Sequence, residues 1–76
     1  MANIKEDIIF CIKELIHNSD INIDDKTLLK EDLNIDSFRA LALMSNLNRK
    51  GIFFKDGKIP PIKTLSDLVE SVKYVQ

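Results

Sequence analysis

The first part of the chain places apolar residues three or four positions apart, which is the spacing of one face of a helix. At about 100° per residue, the apolar residues collect on one broad side and the charged residues on the other. Asn3 can cap free backbone N–H groups, and Glu6 follows three residues later, as in a capping box. We therefore predict an amphipathic helix over Asn3–Ile16, with Phe10 projecting among the charged residues. The residues predicted to face inward are Ile4, Ile8, Ile9, Cys11, Ile12, Leu15 and Ile16.

The segment from His17 to Asp36 loses this helical period, although apolar residues continue to recur every few positions. Connections of about twenty residues without regular structure are uncommon in compact domains and are often functional. We predict a long loop that is held to the core by its apolar residues. These are Ile21, Ile23, Leu28, Leu29, Leu33 and Ile35.

The next segment contains neither proline nor glycine and is rich in leucine and alanine, which favours a helix. Asp36 is placed as its N-cap, and Gly51 as a stop at its other end. We predict a second helix over Ser37–Lys50, with an inward face of Ala40, Leu43, Met44 and Leu47. A second strip of residues next to the helix start falls outside that face: Phe38, Leu41, Ala42 and Ser45.

The segment from Gly51 to Lys63 carries two opposing signals. An apolar run over 52–54 before Asp56-Gly57 is typical of half a hairpin. Pro60 and Pro61 would remove hydrogen-bond donors from a returning strand. We therefore predict a turn that leads into a short, irregular helical segment.

The C-terminal segment again has a helical pattern. Thr64 offers a cap, with Asp67 three residues later. A continuous apolar stripe follows and predicts a third long helix that closes the chain: Leu65, Leu68, Val69, Val72 and Val75. The predicted fold is therefore all-α, a single domain over 1–76 with three main helices plus one short helix and a long loop after the first helix.

Size and composition narrow the classes of function. A domain of 76 residues buries only about 60 to 65% of its unfolded surface, which favours a binding or carrying module over an enzyme with a deep cleft. A net charge of -1 offers no positive field for nucleic acid. One cysteine and one histidine provide neither a disulfide nor a zinc site. No apolar run approaches the roughly 20 residues of a membrane span, so we expect a cytoplasmic protein without membrane insertion.

The run from Leu29 to Ser37 is the most informative part of the sequence. It has the form Leu-x-x-Asp-Leu-x-Ile-Asp-Ser and delivers a serine onto the first turn of the second predicted helix. This pattern resembles the modification motif of acyl and peptidyl (aminoacyl) carrier proteins, in which the serine after the aspartate receives 4′-phosphopantetheine. Such carriers are small bundles of three main helices plus one short helix, so the resemblance extends over nearly the whole chain.

The resemblance implies that Ser37 carries a 4′-phosphopantetheine arm taken from coenzyme A, and that Asp36 contributes to recognition. The chain would then be a carrier and not an enzyme. A thioester on the arm would hold an acyl or aminoacyl intermediate of fatty acid, polyketide or nonribosomal peptide biosynthesis. The implied partners of this monomer are a phosphopantetheinyl transferase, an acyl- or aminoacyl-loading ligase and downstream synthase or transferase enzymes. The predicted partner-binding residues are Phe38, Arg39, Leu41, Ala42, Ser45 and Arg49.

Three features depart from the common pattern of these carriers. The second predicted helix has no acidic residue after Ser37, whereas carriers of bacterial fatty acid synthesis usually show an acidic one. Asn34 stands where glycine is common, and asparagine is among the few residues that tolerate a left-handed backbone. Phe38 stands where leucine is commonest, and the Asp-Ser-Phe form is similar to that of D-alanyl carrier proteins and some aminoacyl carriers. These departures favour a specialised pathway and leave the cargo open.

Two further classes of function compete with the carrier. An unmodified helical adaptor would have the same fold and would bind a partner non-covalently through the second helix. A helix-turn-helix DNA-binding protein would need a basic recognition helix, and only Arg39, Arg49 and Lys50 support that hypothesis. A hydrolase with Ser37 as its nucleophile is disfavoured, because no histidine or lysine is predicted where it could activate the hydroxyl.

Overall fold

Within residues 3–58 and 60–75, which a computed structural model describes, the regular structure consists of three helices and one two-stranded sheet. None of the described helices is long and apolar enough to cross a membrane. In chain order the elements are α1 (Ile4–Ile16), α2 (Ser37–Arg49), β1 (Ile52–Phe54), α3 (Leu65–Ser71) and β2 (Val72–Tyr74).

Helix α1 confirms the first predicted helix. The Asn3 side chain caps it by accepting the Lys5 N–H at 3.0 Å. The helix ends at Ile16, and its C-cap His17 has a left-handed backbone with a φ of 56°. The predicted inward face is buried or packs against the core, and its three fully buried members are Ile8, Cys11 and Ile12. Phe10 is 52% exposed, as its position among charged residues predicts.

The loop over 17–36 is irregular, as predicted, and the start of α3 holds it in place. The Leu29 N–H donates to the Lys63 carbonyl at 2.9 Å, and the Leu65 N–H donates to the Thr27 carbonyl at 3.0 Å. Five of its six predicted anchors are buried or pack against the core. Leu28 is the exception, because it lies exposed at the surface.

Helix α2 confirms the second predicted helix, with Lys50 as its C-cap. Leu43 and Leu47 are buried, while Ala40 packs against the core as a partly buried residue. Gly51 follows the cap with a φ of 79°, a conformation that residues with a Cβ rarely adopt. The glycine therefore lets the chain reverse directly from α2 into β1.

The sheet makes the all-α prediction wrong in part. Strand β1 pairs antiparallel with β2, which places Ile52 opposite Tyr74 and Phe54 opposite Val72. The predicted third long helix therefore ends at Ser71. Aromatic and β-branched residues dominate both strands, and such residues gain more from cross-strand packing than from a helix. A helical spacing of valines at the chain end did not outweigh that preference.

The short helix predicted within 51–63 is also absent from the described part of that segment. After β1 the chain turns at Gly57, whose N–H donates to the Phe54 carbonyl at 3.1 Å. From Pro60 to Lys63 it runs without regular structure toward α3. Pro61 disfavours a helical backbone at the residue before it, which explains why no helix starts at Pro60. Ile59 lies outside the described residues.

One core joins these elements. Ile8 and Ile12 of α1 meet Leu47 of α2, Ile52 of β1 and Leu65 of α3, and all five are at most 1% exposed. Burial of a large aliphatic side chain contributes about 1.5 to 3 kcal/mol, so a few residues supply much of the stability of so small a domain. Every helix therefore depends on the same small core.

Replacing Thr64 tests the cap of α3. Its hydroxyl accepts the Asp67 N–H at 3.2 Å, and the Asp67 carboxylate accepts the Thr64 N–H at 3.1 Å, which is the predicted capping box. Loss of an N-cap costs about 0.5 to 2 kcal/mol, and each kcal/mol lowers Tm by about 4 to 8 °C in a domain of this size. We therefore expect Thr64→Ala to lower Tm by about 2 to 16 °C, measured by thermal circular dichroism. Thr64→Ser keeps the hydroxyl and should lose much less, so equal losses would contradict the cap.

The titration of Tyr74 tests the contact between β2 and α1. Its hydroxyl donates a hydrogen bond to the Asp7 carboxylate. This bond, with partial burial and the charge of Asp7, raises the pKa of Tyr74 to about 12. The unfolded value is about 10. Since the folded-state pKa is the higher one, the interaction stabilises the fold fully below about pH 10 and is lost as the pH rises toward 12.

Tyr74 is the single tyrosine of the chain, so the absorbance of tyrosinate reports its ionisation alone. We expect Asp7→Asn to move the midpoint down toward about 10, because the neutral amide accepts a weaker hydrogen bond. Glu6→Gln removes a neighbouring carboxylate and serves as the control that leaves the midpoint in place. A midpoint that Asp7→Asn does not move would mean that this contact is not formed in solution.

Candidate functional site

Ser37 is the first residue of α2, and the residue before it fixes its position. The Asp36 carboxylate accepts the Arg39 N–H at 2.9 Å, and the Asp36 carbonyl accepts the Ala40 N–H at 2.8 Å. These bonds close the first turn of the helix. Ser37 itself is exposed, so a rigid helix start presents it to solvent.

A closed loop delivers the chain to this helix start. The Ile35 N–H donates to the Leu29 carbonyl at 2.9 Å, which brings the two ends of the motif together. Leu29, Leu33 and Ile35 are buried beneath it. Asn34 has a φ of 56°, the left-handed conformation that asparagine tolerates better than most residues. The departure from glycine at this position is therefore compatible with the loop.

An open pocket of about 400 Å³ lies beside Ser37, bounded by the loop, α2 and the segment after β1. Three of its lining residues are polar or charged, namely Lys30, Asp36 and Ser37, and the others are apolar. Its volume lies within the range of roughly 300 to 1,000 Å³ that is typical of small-molecule sites. The apolar walls include Leu29, Ile35, Ala40, Leu43, Ile62 and Leu68.

The predicted partner-binding residues all lie exposed on α2. Phe38 is 81% exposed and Leu41 is 57% exposed. The side of the helix away from the core therefore carries two large apolar side chains near Ser37. The remaining exposed members of the set are Arg39, Ala42, Ser45 and Arg49.

Sequence patterns did not place Lys30, Phe54 or Ile62 near the site. The position of Lys30 at the pocket could have been predicted from the sequence, because Lys30 follows the buried Leu29 in the motif and is itself exposed. Phe54 and Ile62 belong to the segment that was predicted to contain a short helix. Their position depends on the pairing of β1 with β2, and the sequence pattern predicted a helix where β2 lies.

The chemistry available at this site is that of an accessible hydroxyl. Among the described residues, no hydrogen bond joins the Ser37 hydroxyl to a basic side chain. His17 lies exposed at the far end of the loop, and Lys30 lines the pocket without bonding to Ser37. Nucleophilic catalysis needs a base within hydrogen-bond reach of the nucleophile. The Ser37 hydroxyl is therefore exposed, and among the described residues no basic side chain bonds to it.

Comparison with known proteins identifies a relative that covers most of the chain. The sequence is 38% identical over 72 residues to the acyl carrier protein homolog of Mycoplasma genitalium. The aligned region covers 88% of this chain and 86% of the relative. No protein-family model matches the chain, and no solved structure matches it. With identity at this level over most of both sequences, the chain belongs to the acyl carrier protein family.

Proposed function

We propose that this protein is a carrier that receives 4′-phosphopantetheine on Ser37 and presents an acyl thioester to partner enzymes. The observation that supports this most is the exposed serine on the first turn of α2, next to an apolar pocket. The arm supplies a thiol that forms the thioester. The residues of the chain attach and orient the arm and provide a surface for docking, and they make no bond to the cargo.

The start of α2 suits a phosphodiester. Helix N-termini have backbone N–H groups without intrahelical acceptors, and the helix dipole favours an anion there by about 0.3 to 1 kcal/mol. Among the described residues, the Asp36 side chain satisfies the Arg39 N–H and leaves the Ser37 and Phe38 N–H groups without an acceptor. Two donors are therefore available beside the attachment point. This gain is small, so recognition must come from the surface around Asp36.

The pocket favours an acyl cargo over an aminoacyl one. Its walls are apolar, so each methylene that a chain buries there contributes about 0.8 kcal/mol. An aminoacyl group would bring an ammonium ion toward the same apolar walls, where it would lose hydration. The pocket thus supports an acyl cargo, although the departures in the motif favour a specialised pathway.

The exposed side of α2 is the proposed docking surface. Phe38 and Leu41 lie one turn apart beside Ser37, so an enzyme that covers them also reaches the arm. A small apolar surface suits the transient contacts that a carrier makes with several enzymes in turn. The partners on this proposal are a phosphopantetheinyl transferase, a loading ligase and the synthase or transferase enzymes that use the thioester.

Intact mass tests attachment at Ser37. We expect the protein, incubated with coenzyme A and a broad-specificity phosphopantetheinyl transferase, to gain the mass of one phosphopantetheinyl group. Ser37→Ala should gain nothing, and Ser19→Ala, which removes the hydroxyl of an exposed loop residue outside the proposed docking surface, should gain one group like the native chain. No gain by the native chain, while a known carrier gains one, would favour the unmodified adaptor. In that case Ser37→Ala would retain the binding activity of the protein.

Filling the pocket tests the acyl cargo. Ala40→Leu places a larger side chain in the wall, while Ala42→Leu makes the same change on the exposed side of α2. With a decanoyl cargo, we expect Ala40→Leu to raise the rate of thioester cleavage by hydroxylamine about three- to tenfold, the factor for displacing one methylene or slightly more. Ala42→Leu should leave the rate unchanged. An acetyl cargo is too short to fill the pocket and should show no effect of either variant.

If Ala40→Leu leaves the cleavage rate of the decanoyl thioester unchanged, the decanoyl chain is not buried in this pocket. Faster cleavage of both the acetyl and the decanoyl cargo would instead indicate general damage to the fold. Either result would leave the assignment of Ser37 untouched, because the mass measurement is independent of the pocket.

A further inference from the structure

The charges of the chain divide sharply at the attachment serine. Residues 17–36 contain six acidic and two basic residues, whereas residues 37–63 contain six basic residues and one acidic residue. Helix α2 itself carries two charged side chains, Arg39 and Arg49, and both are positive. The acidic loop and the basic helix therefore meet at Ser37.

The two arginines frame the apolar side chains on the exposed side of α2. Phe38, Leu41, Ser45 and Arg49 follow one another at three- or four-residue spacings, so they form one stripe along the helix. Arg49 lies about 18 Å along the helix axis from Ser37, given a rise of about 1.5 Å per residue. Arg39 flanks the stripe near Ser37.

Both guanidinium groups are available to a partner. Within residues 3–58 and 60–75, no carboxylate lies within salt-bridge distance of either one. Lys50 differs, because its ammonium group lies 4.8 Å from the centre of the Phe10 ring and so packs against α1. Arginine also suits recognition of carboxylates, since its planar group can donate two parallel hydrogen bonds to one of them.

We infer that the enzymes acting on this carrier dock against α2 with an apolar depression for Phe38 and Leu41 and with carboxylates opposite Arg39 and Arg49. This inference rests on the proposed function and specifies the chemistry of its partners. Charge complementarity carries it, because both charged side chains of α2 itself, Arg39 and Arg49, are positive, whereas the exposed Asp36 lies just before the helix and accepts the Arg39 N–H. A basic docking surface of an enzyme would meet like charge at both ends of the stripe, and such contacts are unfavourable.

A charge exchange between carrier and enzyme tests the inference. The probes are a phosphopantetheinyl transferase with a basic carrier-binding surface and a variant in which those basic residues are glutamate. We expect the native chain to be modified with about tenfold higher kcat/KM by the glutamate variant, the ratio for two ion pairs of ordinary strength at an interface rim. The carrier variant Arg39→Glu/Arg49→Glu should reverse this preference. Both differences should shrink at 0.5 M salt.

The matched control is Lys26→Glu/Lys73→Glu, which has the same net charge as Arg39→Glu/Arg49→Glu. It changes exposed lysines of the loop and of β2 and leaves α2 intact. It should keep the preference of the native chain, which separates a local effect of α2 from a global effect of charge. A carrier with an acidic second helix serves as a second control and should prefer the basic transferase. Together with the native chain, it checks that both forms of the enzyme are active. Arg39→Gln/Arg49→Gln should abolish the preference without reversing it.

Equal rates with both transferases, or a preference of the native chain for the basic one, would overturn the inference while Ser37 still gains mass. No mass gain with either enzyme would instead refute the proposed function. An anionic membrane is the other occupant with suitable charge. We expect no cosedimentation with vesicles containing phosphatidylglycerol, and sedimentation that Arg39→Glu/Arg49→Glu abolishes would overturn the inference in favour of a lipid surface.

Discussion

The hydrogen bond from the Ile35 N–H to the Leu29 carbonyl is the interaction on which the site depends. It closes the motif into a loop whose buried residues, Leu29, Leu33 and Ile35, are fixed in the core. The closure forces the residue after Ile35 outward, where Asp36 can cap α2. Position and exposure of Ser37 therefore follow from burial of its apolar neighbours, and not from any contact made by the serine itself.

The same loop also connects the site to the C-terminal half of the chain. Leu29 donates to Lys63, and Leu65 donates to Thr27, so the loop and the start of α3 hold each other in place. The residues between β1 and α3 must then cross near α2, and this crossing forms the far wall of the pocket with Ile62. The pocket next to Ser37 is thus a consequence of how the loop is anchored.

The sequence predicts the features that depend on local interactions. Helices α1 and α2, the capping box of α3 and the exposure of Phe38 follow from periodicity and cap residues close in the chain. The sheet could not be predicted in the same way, because β1 has its partner about twenty residues later and a helical spacing of valines conceals β2. The pocket was missed for the same reason, since its far wall depends on that pairing.

A domain this small cannot separate its core from its pocket. Leu43 and Leu68 line the pocket, yet they are only 4% and 2% exposed and belong to the core. A change in either one would alter the pocket and lower stability together, since truncation of a buried leucine costs about 2 to 5 kcal/mol. Ala40 and Lys30 lie at the pocket without belonging to the buried core. On the proposed function, a change of cargo preference through these two residues would cost less stability than a change in the deeper walls.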